Sequence, residues 1–288
     1  MEAARVGARS ESVRLDRARL VLLGALLALA VAAWLITNDR MGGMESMPGM
    51  ALGSFGFFAT VWVVMMAAMM FPAVAPMVLT YDRLREGRRV GGEGAASDAT
   101  ALFVAGYLLV WTVAGLAVYA LFELVRAIDP AFLAWEEAGR YVTGGVIVAA
   151  AVYQVTPLKQ ACLAECRSPM TFLAERWRDG RSGALALGIR HGAWCLGCCW
   201  ALMAALFAVG IMSLGWMALI AAFIVAERLL PWPTGARWTV ALSLLVLGLG
   251  VAFFPADVPG LSEPDGGMQG GGGMQGGGGD GGSMQMMP

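Results

Sequence analysis

The chain has 288 residues, of which 58% are hydrophobic and only 14% charged, and its formal net charge is −1. That balance is too apolar for a soluble domain of this size and points to an all-α, polytopic membrane protein. It also argues against nucleic acid as a partner, because no basic excess is available to meet phosphates.

A basic cytoplasmic N-terminus is expected over 1–19, carrying Arg5, Arg9, Arg14, Arg17 and Arg19. A helical membrane domain should follow over 20–257, and a disordered extracytoplasmic tail over 258–288, rich in Gly, Met and Gln. Apolar runs of the length that crosses a bilayer, about 17 to 25 residues, occur at 20–37, 55–79, 100–122, 141–157, 186–209, 211–230 and 238–254. The sequence thus predicts about seven spans. The first resembles a signal peptide, but Trp34, Leu35 and Ile36 precede its break where small residues would mark cleavage, so a retained helix is expected.

Positive charge orients the spans. Arg83, Arg85, Arg88 and Arg89 follow the second, Lys159, Arg167, Arg176, Arg178, Arg181 and Arg190 follow the fourth, and Arg228 and Arg237 flank the sixth-to-seventh connection. These regions belong inside, with the N-terminus, and seven crossings put the C-terminus outside. The expected location is a bacterial inner membrane, with lipid as one partner and a homo-oligomer an open alternative.

Between the first two spans lies MGGMESMPGM, in which Met41, Met44, Met47 and Met50 recur every three residues. A thioether is an unusual side chain to repeat in a polar loop, and soft sulfur donors select Cu(I) over hard divalent cations. The tail repeats the theme with Met268, Met274, Met284, Met286 and Met287. Both segments fall on the extracytoplasmic face in this topology.

The second span places Met65 and Met69, and Met66 and Met70, four residues apart on a helical face, with Met77 seven residues beyond Met70. Pro72 and Pro76 each remove a backbone donor and favour a kink. The competing reading of these methionines is ordinary packing or lipid contact.

All five cysteines fall toward the cytoplasmic side. Cys162 and Cys166 are separated by four residues in CLAEC, and His191 leads HGAWCLGCC, whose offsets of 4, 7 and 8 put Cys195, Cys198 and Cys199 on its helical face. A soft-metal site, inert packing, a redox pair at Cys195 and Cys198, and structural zinc all compete here. The Met clusters tilt the choice to copper, as Cu(I), over zinc. Tyr153, Gln154 and Thr156 form a polar helix end, and Glu227 beside Arg228 reads as an interfacial pair. No nucleophile triad, paired catalytic carboxylates or phosphate loop is present, so a non-enzyme is expected.

The segments WVVMMAAMMFPAVAPMVLTY, YQVTPLKQACLAECRSP and HGAWCLGCCWALM together resemble a bacterial family described as predicted metal-binding integral membrane proteins of unknown function. The resemblance runs from Trp62 to Met203 and implies a polytopic fold and a metal site, without a reaction. Ligand logic alone is similar to that of eukaryotic copper uptake permeases. The resulting expectation is capture of Cu(I) at the external Met residues, passage along the Met-lined helix, and delivery to the inner Cys and His ligands. The alternatives are a copper-binding assembly subunit for a membrane or periplasmic cuproenzyme, and a membrane thiol oxidoreductase.

Overall fold

A computed structural model describes residues 2–41, 55–90, 98–128, 138–209 and 214–255. Those residues are helical almost throughout, with no strand among them. In chain order they form α1 (Glu2–Met41), α2 (Phe55–Val90), α3 (Ala99–Ile128), α4 (Arg140–Gln154), α5 (Pro157–Arg167), α6 (Pro169–Arg176), α7 (Gly180–Val209), α8 (Leu214–Leu229) and α9 (Pro233–Phe253). The external Met44, Met47 and Met50 and the tail lie outside the described residues; Met41 ends α1, but its side chain is not described.

Each of the seven apolar runs becomes a helix, and among the described residues five helices are long and apolar enough to cross a membrane, against the seven spans expected: Arg19–Asp39, Phe55–Arg88, Ala99–Ile128, Gly180–Val209 and Pro233–Phe253. A sixth arises if α4 and α5, bent by 64° at their junction, count as one broken span. The reason is length. At about 1.5 Å per residue, the 15 residues of α4 and the 16 of α8 fall short of a hydrocarbon core of about 30 Å. The architecture is compatible with a multi-pass membrane protein.

Lipid-type packing holds the bundle. Apolar side chains gain little by leaving lipid for protein, so close approach of backbones at small residues takes over. Gly106, Gly188 and Gly192 let α3 and α7 meet backbone to backbone, and a methyl on Gly188 would run into the Phe103 carbonyl. Gly144 and Gly248 do the same between α4 and α9, where a Cβ on Gly248 would stand 2.9 Å from the Gly144 oxygen. Gly115 makes room for the Trp62 indole, which donates to the Trp111 carbonyl at 2.7 Å and ties α2 to α3.

Ionic contacts mark one end of the bundle. Arg88 near the end of α2 lies 3.8 Å from Asp179, and Arg181 at the start of α7 lies 2.6 Å from Asp98 before α3. The basic segments after the second and fourth apolar runs therefore share an end. α2 runs unbroken through Pro72 and Pro76, and the Thr80 hydroxyl donates to the Pro76 carbonyl at 2.7 Å.

Candidate metal centre

Two local breaks build the site. α4 ends at Gln154 because Pro157 cannot continue it, and Thr156 caps the new helix by accepting from the Lys159 amide at 3.3 Å, with Pro157 at its first position. α8 stops at Leu229, just before Pro231. Both short helices end beside the middle of α7. Cys195 lies 15 residues after Gly180, about 22 Å along a 30-residue helix by its rise per residue. Cys195, expected toward the cytoplasmic side, thus sits near the middle of α7 along its length.

Four sulfurs gather there around one nitrogen. Nη2 of Arg228 approaches Sγ of Cys195 at 2.8 Å, Cys198 at 3.2 Å, Cys166 at 3.6 Å and Cys199 at 3.7 Å. One Nη carries two hydrogens, so this is a cation centred in a sulfur cage rather than four separate hydrogen bonds. The sulfurs also meet one another. Cys198 is 3.4 Å from Cys199 and 3.9 Å from Cys166, and it donates to the Cys195 carbonyl at 3.2 Å. The Tyr107 hydroxyl, from α3, contacts Cys195 Sγ at 3.1 Å. All five cysteines are free thiols.

A second cluster fixes the cage from below. Lys159 is fully buried, and its Nζ donates to Glu227 Oε2 at 2.6 Å and to Gln154 Oε1. Arg167 donates to the Glu227 carbonyl and, at 2.7 Å, to that of Leu230, meeting the free carbonyls of the α8 C-terminus where a cation is favoured. Glu227 and Arg228, expected to pair with each other at an interface, are both buried and point to different partners. Lys159 and Arg228, counted among the charges of the inner loops, are interior groups. Charges inside a membrane domain are costly and mark working sites. Glu227 balances Lys159, which leaves Arg228 without a carboxylate among the described residues.

The remaining candidates divide. Cys162 is buried with its sulfur against α7, 2.8 Å from where a Cβ on Gly197 would stand, and lies outside the set around Arg228. His191 is fully buried among the rings of Phe103, Tyr107 and Phe172, with centroids at 6.1, 5.9 and 5.4 Å, and neither ring nitrogen has a hydrogen-bond partner. It does not join the sulfurs, although its spacing along α7 matches theirs. Met65, Met66, Met69, Met70 and Met77 are all buried, so the stripe faces protein and not lipid. Met203 and Met217, which the sequence reading passed over, are buried in the same core. Tyr153 donates to the Gly197 carbonyl at 2.6 Å, so the polar end of the fourth run serves helix packing.

Among the described residues, no three His, Cys, Asp or Glu side chains form a ready-made cage for an ion. The donor chemistry nonetheless suits a soft monovalent metal: thiolates and thioethers prefer Cu(I), and the guanidinium stands where a cation is stabilised. No curated protein and no solved structure matches the chain. A family model described as copper chaperone, PpoB2, matches residues 59–251, taking in α2 through most of α9, the Met stripe and the whole cage. With a donor set fit for copper and a match over about two thirds of its length, the chain belongs to the PpoB2 copper chaperone family.

Proposed function

We propose that the protein is a membrane-embedded copper chaperone whose holding site is the thiol cage of Cys166, Cys195, Cys198 and Cys199, and whose approach is the buried stripe of Met65, Met66, Met69, Met70 and Met77. The observation that carries this reading is the convergence of four sulfurs, three of them buried and that of Cys166 partly so, within 3.7 Å of one guanidinium nitrogen. Thioethers are neutral and release Cu(I) readily, whereas thiolates hold it more strongly, so the gradient runs from stripe to cage. Capture would begin at Met41, Met44, Met47 and Met50 and the tail methionines. The copper is cargo: it arrives, is held away from water and oxidant, and leaves.

Handing copper to another protein, such as an extracytoplasmic cuproenzyme, is the first reading, in keeping with a family described as copper chaperone; uptake across the membrane is the second, suggested by the burial of the Met stripe within a long apolar helix. One set of proteins separates them. The purified full chain should bind Cu(I) under anaerobic conditions, and changing the four cage cysteines to Ser should remove its tightest site. Changing Met65, Met66, Met69 and Met70 to Leu should leave folding nearly intact, at less than about 1.5 kcal/mol per swap, and slow loading. Copper accumulation in vesicles would support uptake. Transfer to an apo-cuproenzyme without accumulation supports the chaperone, and a cage variant that binds Cu(I) as tightly as the native chain would sink both.

A further inference from the structure

Arg228 raises a question that copper holding alone does not answer, because a cation stands at the centre of a site built for a cation. We propose, resting on the reading of the cage as the copper site, that Arg228 is its specificity-determining residue. The guanidinium keeps the cage organised when no metal is bound, then moves aside and neutralises the anionic two-thiolate complex of a monovalent ion.

Charge arithmetic carries the selection. When Cu(I) binds two thiols, two S–H bonds break, two S–Cu bonds form and two protons leave with no change of oxidation state. The complex bears one negative charge, and Arg228 brings the buried site to neutrality. Zinc takes four donors in its closed sites. With the same two thiols ionised, Zn(II) is already neutral, and the guanidinium then leaves the site with one uncompensated positive charge in a medium where net charge is expensive. Lys159 is already spent, 2.6 Å from Glu227, and Arg167 is partly exposed and donates to backbone carbonyls of the α8 end rather than to a sulfur.

Geometry permits the movement. Arg228 is held at its tip, by sulfurs, while its Nε has no hydrogen-bond partner along the stem. The backbone beneath it is held independently, because Glu227 is anchored through its side chain to Lys159 and through its carbonyl to Arg167. The side chain can therefore swing while the end of α8 stays in place. Cys198 is the sulfur common to both close thiol contacts, to Cys199 at 3.4 Å and to Cys166 at 3.9 Å, which makes it the shared ligand of whichever pair closes on the ion.

The test is competitive titration of the full chain in detergent, without oxygen, with Cu(I) against a chromogenic chelator and with Zn(II) separately. Arg228→Gln should weaken Cu(I) binding by on the order of a hundredfold, since it removes one partner of a buried charge pair, and should leave Zn(II) binding equal or stronger. Arg228→Lys, which keeps the charge, should hold Cu(I) within about tenfold of the native chain, an estimate set by the lost fork geometry. X-ray absorption of the native chain with its first equivalent of Cu(I) should show two sulfur donors, a reading that survives even if the Gln variant fails to fold. Three or four sulfurs on that copper, or a folded Gln variant with unchanged Cu(I)-over-Zn(II) preference, overturns the role of Arg228 alone. Tight Cu(I) binding that persists when the four cage cysteines are Ser overturns the cage as well.

Discussion

Lys159 is the residue whose removal should hurt the fold most for its size. A fully buried ammonium survives there because Glu227 lies 2.6 Å away and Gln154 supplies a second acceptor. Truncating one member of such a pair strands the other charge. Lys159→Met is therefore expected to destabilise the protein by about 3–5 kcal/mol, whereas Lys159→Met with Glu227→Leu should recover most of that loss; thermal unfolding of the two variants in one detergent compares them. At this scale the sequence was half legible. The offsets of Cys195, Cys198 and Cys199 along one helix announced a shared face, and the structure brings those sulfurs together with Cys166. His191 shares the spacing but is taken up by three aromatic rings from α3 and α6. Spacing along a helix says which face a side chain leaves from, not which neighbour meets it. Lys159 and Arg228 each fall near a proline at a helix end, where charge is expected in a loop, and a sequence does not reveal that the end is buried.

Among the helices, the pair α3 and α7 depends on glycine at the contact. Gly188→Ala would press a methyl into the Phe103 carbonyl, whereas Gly145→Ala on α4 meets nothing within 4 Å. The first change should cost about 1–3 kcal/mol by overpacking. The second should be neutral or gain up to about 1 kcal/mol from helix propensity. Both are read by melting temperature in detergent, and equal melting of the two would refute the close α3–α7 contact. Each of the seven apolar runs gives a helix, but only five of those helices are long and apolar enough among the described residues to cross a membrane. Their lengths did not reveal that α4 and α8 stop partway. The apolar run at 141–157 continues past Gln154 into the polar turn that Thr156 and Pro157 cap, and the end of α8 is set by Pro231.

For the molecule as a whole, sidedness is the property to establish. Ser182 lies at the end of the bundle that carries Arg88, Asp179 and Arg181, and Gly56 lies at the far end of α2. Positive-inside orientation predicts that Ser182→Cys reacts with a membrane-impermeant maleimide only in inside-out vesicles, and Gly56→Cys only in right-side-out ones. Reaction of both from one side would mean that α2 does not cross.

The brevity of α4 has a consequence for the lipid around it. Its exposed apolar residues run from Tyr141 to Val152, a stripe only about 17 Å tall at the helical rise. Bilayers adjust to such a mismatch by thinning. The membrane should therefore dimple against this flank, drawing headgroups and water toward the level of Gln154 and the sulfur cage. The bundle would then have one thin wall, and in the proposed role that wall sets where the ion, or the protons it displaces, has the shortest path out.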